Sequence, residues 1–166
     1  DGGVAFNRAD EHLAVRRDSG QGLDLDFNNR AGNLIVEGAD LSGHQVNLTA
    51  SGRIGGDGDD KVLAADGLAL DAGDDIDLST NANRIDATTA DGDIDLDNQG
   101  TGELLLNASA GGADRRVAVA HKGDLKLGQV SADGLIRLTA VGTLDGDGDS
   151  TAITGNYVEL DAARIG

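Results

Sequence analysis

Apolar residues along this chain come in pairs separated by one position: Val46/Leu48, Leu68/Leu70, Ile76/Leu78, Ile94/Leu96, Leu104/Leu106, Val117/Val119, Leu125/Leu127, Ile136/Leu138 and Val158/Leu160. Alternation at period two marks a strand with one face inward. The pairs recur mostly at intervals of 8 to 13 residues, separated by Gly, Asp, Asn and Ser, the residues that turns favour. A helical reading fails, because apolar positions three and four apart are not sustained and Gly interrupts nearly every window. A β-sandwich also uses short alternating strands. It explains neither the small residues around each pair nor the long-range repetition described next.

Sliding the sequence by 90 positions lays Leu48-Thr49-Ala50 on Leu138-Thr139-Ala140, Gly52 on Gly142, Gly56-Asp57-Gly58-Asp59 on Gly146-Asp147-Gly148-Asp149, and Leu70-Asp71-Ala72 on Leu160-Asp161-Ala162. From 48 to 72 this gives 11 identities in 25 positions without a gap. Residues 1–76 thus repeat as 91–166. The reading is one solenoid segment over 1–166, part of a longer array, because the chain starts at Asp1 and both ends fall inside a repeat. Coils of about 20 residues, each giving two or three short strands stacked on those of the next coil, account for the pattern. The predicted fold is all-β, a right-handed parallel β-helix of roughly eight coils, right-handedness being the rule for parallel crossovers.

Composition narrows this further. With no Cys, Pro, Met or Trp, and only Phe6, Phe27 and Tyr157 as aromatics, any core must be a thin aliphatic one. The 26 Asp and 4 Glu against 10 Arg and 3 Lys leave a formal charge of −17. Such a surface repels phosphate backbones, and there are too few rings to stack bases, so nucleic acid is excluded as a partner. No apolar run approaches the roughly 18 residues that span a bilayer, so membrane insertion is not expected. Absence of Cys rules out thiol nucleophiles and thiolate metal sites.

The segment Ile136-Arg137-Leu138-Thr139-Ala140-Val141-Gly142-Thr143-Leu144-Asp145-Gly146-Asp147-Gly148-Asp149, and its earlier copy Val46 to Asp59, resemble the repeats of filamentous-haemagglutinin-type large exoproteins of the two-partner-secretion family. The shared pattern is a strand, a Gly, an apolar residue, a Gly-Asp turn and a further strand ending in Leu-x-Ala. The resemblance implies a right-handed parallel β-helix, export through an outer-membrane partner, and a place in adhesion or biofilm matrix. It makes this segment shaft, non-catalytic, lying outside the cell or on its surface. Two alternatives come from the residues: outward Asp, Asn, Thr and Arg side chains, with Ca²⁺ bridging, could bind host or bacterial surface glycans or matrix polysaccharide, and open coil ends could let further copies associate laterally or end to end.

The sharpest candidate site is the repeated turn: Asp57, Asp59 and Asp60 in one copy, Asp145, Asp147 and Asp149 in the other. Alternating carboxylates on a Gly-rich turn can converge on Ca²⁺, which takes about six to eight oxygens in irregular geometry. The full calcium-loop pattern is absent, since no Glu closes it. The competing reading is a solvated turn in which Gly permits positive φ and Asp caps the backbone. The run Asp93, Asp95, Asp97 falls on the outer face of one strand, to be solvated, or bridged by a cation or by an arginine of an adjacent coil. A similar ambiguity attaches to Asp71, Asp74, Asp75 and Asp77. Paired carboxylates also raise a polysaccharide hydrolase or lyase as a remote alternative. Aromatic platforms and long insertions, which a sugar-cleaving groove favours, are nearly missing. His12, His44 and His121 are isolated in sequence.

Overall fold

The computed structural model describes residues 4–8, 12–15, 24–36, 41–56, 62–148 and 151–166. Among them every element is a strand and every pairing is parallel. The chain is a parallel β-solenoid, as its period-two pairs predict.

Two long ladders run along the stack. On face A, Val4 pairs with Leu25, Leu25 with Val46, Val46 with Leu68, Leu68 with Ile85, and Ile85 with Leu106. On face B the sequence of partners is Leu13, Leu34, Ile54, Ile76, Ile94, Val117, Ile136 and Val158. The third side, face C, carries Leu41 on Leu63 on Thr80, and further along Leu104 on Leu125 on Leu144.

The inward members of each pair form a single aliphatic core. Leu34, Leu48, Ile54, Leu63, Ile76, Ile85, Ile94 and Leu104 are completely buried. Burying one such side chain contributes about 1.5–3 kcal/mol. The strand Ile94–Asn98 shows the arrangement most simply, with Ile94, Leu96 and Asn98 inward and Asp95 and Asp97 outward. Among the described side chains Phe27 is the aromatic in this core, and Tyr157 is exposed.

Corners between faces bring successive coils so close that side chains have no room. A Cβ on Gly73 would stand 1.9 Å from the Ser51 carbonyl oxygen. Small residues around the apolar pairs therefore follow from the spacing of stacked coils, about 4.8 Å.

The 90-residue repeat acquires a geometry that the sequence did not display. Val46 lies in the face A ladder, whereas Ile136, its counterpart, lies in face B. Leu70 is on face A and Leu160 on face B. Ile54 moves from face B to Leu144 on face C, and Leu63 of face C moves to Ile153, which pairs with Val130 on face A. One repeat is four turns plus one side, so each copy is rotated to the next face. The rotation is tolerated because the faces ask for much the same pattern of small aliphatic residues.

Candidate functional site

The acidic residues have an ordered relation to the coils. At or near the start of several strands, an Asp or Asn side chain accepts the backbone N–H of the residue one coil along. Asn33 Oδ1 takes Arg53 N at 2.8 Å, Asp75 Oδ1 takes Asp93 N at 2.8 Å, and Asp93 Oδ1 takes Arg116 N at 3.0 Å. The same bond joins Asp24 to Gln45 and Asp124 to Thr143, and, from the middle of a strand, Asn107 to Gln129. A short side chain carrying a carbonyl-like oxygen is what this job requires, which is why Asp and Asn fill it and the longer Glu does not.

Face B concentrates the charge. Asp77 and Asp95 are in register on adjacent coils, as are Ser79 and Asp97. Arg116, one coil beyond Asp95, spans Asp93 and Asp95 at 3.2 Å each. Arg53, one coil before, reaches Asp77 at 3.2 Å, and Arg115 reaches Asp91 at 2.9 Å. Of the bridges open to the run Asp93, Asp95 and Asp97, the structure contains the arginine from an adjacent coil. Partial burial pushes the Asp95 carboxyl above its usual value; Arg116 opposes this, and Asp77, Asp93 and Asp97 add to it.

The Gly-Asp turns divide differently. Asp57, Asp59, Asp60 and Asp149 lie outside the described residues. Asp145 ends an outer column of face C, in register with Lys126, and its Oδ1 accepts Gly146 N at 2.8 Å. Asp147 lies in the turn that follows, 3.8 Å from Lys126 Nζ. Among the described residues, no three His, Asp or Glu side chains are grouped to hold a metal ion. The strand before the first turn, Ile54–Gly56, is on face B, whereas Leu144, before the second, is on face C.

A buried polar column was missed in sequence. Thr80, Asn98 and His121 stack in register where face B turns into face C, and all three are buried. Asn98 Oδ1 accepts Thr80 Oγ1 and Ala82 N at 2.9 Å each, and its Nδ2 donates to the Ala82 carbonyl at 3.0 Å. His121 Nε2 lies 2.9 Å from the Gly102 carbonyl. The signal was present, since each residue occupies the next inward position after Ile76/Leu78, Ile94/Leu96 or Val117/Val119. His44 is exposed, between Asp24 at 3.2 Å and Asp66 at 3.8 Å.

Face A is different in character. Its outer columns are largely neutral: Asp26, Asn47, Ala69, Asp86 and Asn107 form one, and Asn28, Thr49, Asp71, Thr88, Ser109, Ser131 and Thr154 the other. Between them lies an open groove of about 350 Å³, lined by Asp86, Thr88, Asn107, Ser109, Gln129 and Ser131. A bulge between the strands Glu103–Ala110 and Asp124–Ala132 lies beside Gln129. Partial burial acts to raise the Asp86 carboxyl, but hydrogen bonds from Arg84 and Asn107, with the Arg84 charge, outweigh it and hold the group below the usual carboxylate range. Comparison with protein-family models, with curated proteins and with solved structures gives no match.

Proposed function

We propose that this chain is a structural, non-catalytic length of shaft from a secreted bacterial surface or matrix adhesin. The observation that supports this reading best is the repeated bond from an Asp or Asn side chain to the backbone of the next coil. It sets Asp24, Asp75, Asp93 and Asp124 to holding coils in register along the stack, beside Asn33 and Asn107. Such a stack gives length by adding like units, and its negative surface favours solubility outside the cell.

Under this reading the carboxylates are acceptors and countercharges, with no pair set to act as acid and base on a glycosidic bond. Incubating the 166-residue chain with neutral and acidic polysaccharides tests it, with release of reducing ends as the readout. No release is expected. Turnover that disappears in an Asp→Asn variant would make the protein a hydrolase or lyase and end the shaft proposal.

A further inference from the structure

Three features of the groove on face A bear on what it can hold. Its lining side chains are hydroxyls and amides, with one carboxylate, Asp86, matched by Arg84 at 2.7 Å. They stand on strands rather than loops, so successive coils present a hydroxyl beside a carboxylate or an amide about every 4.8 Å. Their backbones are already engaged on both sides: Ala108 pairs with Ala87 and with Val130.

The last point excludes a peptide adding itself as a strand, since that mode needs a free edge. No apolar pocket is present for a peptide side chain either, because Ala87 and Ala108 face the core. What fits is a chain of polar units that repeats at close to the coil spacing and offers hydroxyls to hydroxyls and amides. An extended, β-1,4-linked glycan has this form. It would lie along the stack with one sugar facing each coil. A polyanionic glycan is disfavoured by the charge of −17 and by Asp71, in the same column as Thr88.

We infer that face A, from Asp86 and Thr88 through Asn107 and Ser109 to Gln129 and Ser131, is a binding surface for an extended neutral glycan. Thr88 and Ser109 are exposed and adjacent in register. Ser131 donates to Ser109 Oγ at 3.0 Å, which aligns the two hydroxyls along the groove. Asn107 is fixed by Asp86 and by Gln129 N, so the amide is held in place before ligand arrives. Without aromatic platforms the affinity is modest, in the millimolar range. This inference does not rest on the shaft reading.

The test is titration of the isotopically labelled 166-residue chain with three hexasaccharides, followed by amide chemical shifts. The probes are β-1,4-linked glucose, β-1,4-linked mannose, and α-1,4-linked galacturonic acid. A β-1,4-linked neutral hexasaccharide should shift residues of face A and leave face B unmoved, and oligogalacturonate should shift neither. Thr88→Val with Ser109→Ala and Ser131→Ala removes the hydroxyls with little change of volume, and binding should weaken roughly tenfold or more. Thr139→Ala, on face B, should bind as the parent does. Absence of shifts with both neutral probes, shifts centred on another face, or equal affinity in the triple variant each overturns the inference.

Discussion

Asn98 Nδ2 stands 3.0 Å from His121 Nδ1, with the histidine one coil above the asparagine and both side chains buried. The neighbours decide the direction of this bond. Asn98 has its oxygen occupied by Thr80 and Ala82, so the amide nitrogen donates to the ring. His121 must then carry its proton on Nε2, where the Gly102 carbonyl accepts it. Nitrogen NMR of the ring should show the Nε2–H tautomer, and the opposite tautomer would refute this assignment. Asn98→Ala orphans the Ala82 N–H and the Thr80 hydroxyl in the core, and should lower stability by about 2–3 kcal/mol.

Two carboxyls on different faces should respond to pH with opposite sign. Asp95 is raised in the folded chain, so its contribution is fully present below its unfolded value and is lost as pH rises through its folded value. Ionised Asp95 therefore opposes folding at neutral pH, and Asp95→Asn should raise the melting temperature there. Asp86 is lowered, so its contribution is present above the unfolded value and is lost as pH falls through the folded one. Asp86→Asn should lower the melting temperature at pH 7 and converge with the parent in acid. Both groups are partly exposed, and solvent screening limits each effect to a few tenths of a kcal/mol. Melting curves from acid to neutral pH for the two variants check the signs; the same sign in both contradicts the account.

Gly73 and Gly102 make a matched pair for the corner argument. A Cβ at Gly73 would meet the Ser51 carbonyl, whereas at Gly102 nothing lies within 4 Å. Gly73→Ala must push one coil from the next and should cost more than about 1 kcal/mol, while Gly102→Ala should stay within about 0.5 kcal/mol. Denaturant melts of the two variants give the comparison, and equal losses would show that the corner has slack.

Calcium can be assigned by subtraction. Asp145 Oδ1 accepts Gly146 N and Asp147 lies 3.8 Å from Lys126 Nζ, so each carboxylate has a partner within the protein. Asp145→Asn with Asp147→Asn should leave the difference between melts in EDTA and in millimolar Ca²⁺ as it is in the parent, by linkage. A difference present in the parent and abolished in the double variant would place the ion at this turn.

Much of the fold was legible because its signal is local. Ile94-x-Leu96 and Val117-x-Val119 declare a strand with one buried face wherever they occur. The rotation of the 90-residue repeat between faces was not legible, since Val46 and Ile136 carry the same pattern whichever side they occupy. It depends on how many turns separate them, which short coil-to-coil insertions decide. The Asp-to-backbone bonds were hidden for a related reason. Asp93 reads as one charge in an acidic run until Arg116, 23 residues on, is placed above it. The groove on face A depends on Thr88, Ser109 and Ser131 falling in one column, and these residues look unremarkable when read singly.

The central claim is that the strand-initial acids serve as acceptors that hold coil to coil, and that this bond does not need their charge. Asp124 tests it most directly, because its Oδ1 accepts Thr143 N at 2.7 Å. Asn at this position keeps the acceptor and removes the charge, as Asn33 and Asn107 already do elsewhere in the stack. The account predicts that Asp124→Asn melts at or slightly above the parent, while Asp124→Ala is destabilised by about 1 kcal/mol. An Asn variant as damaged as the Ala variant, or an Ala variant as stable as the parent, would contradict it.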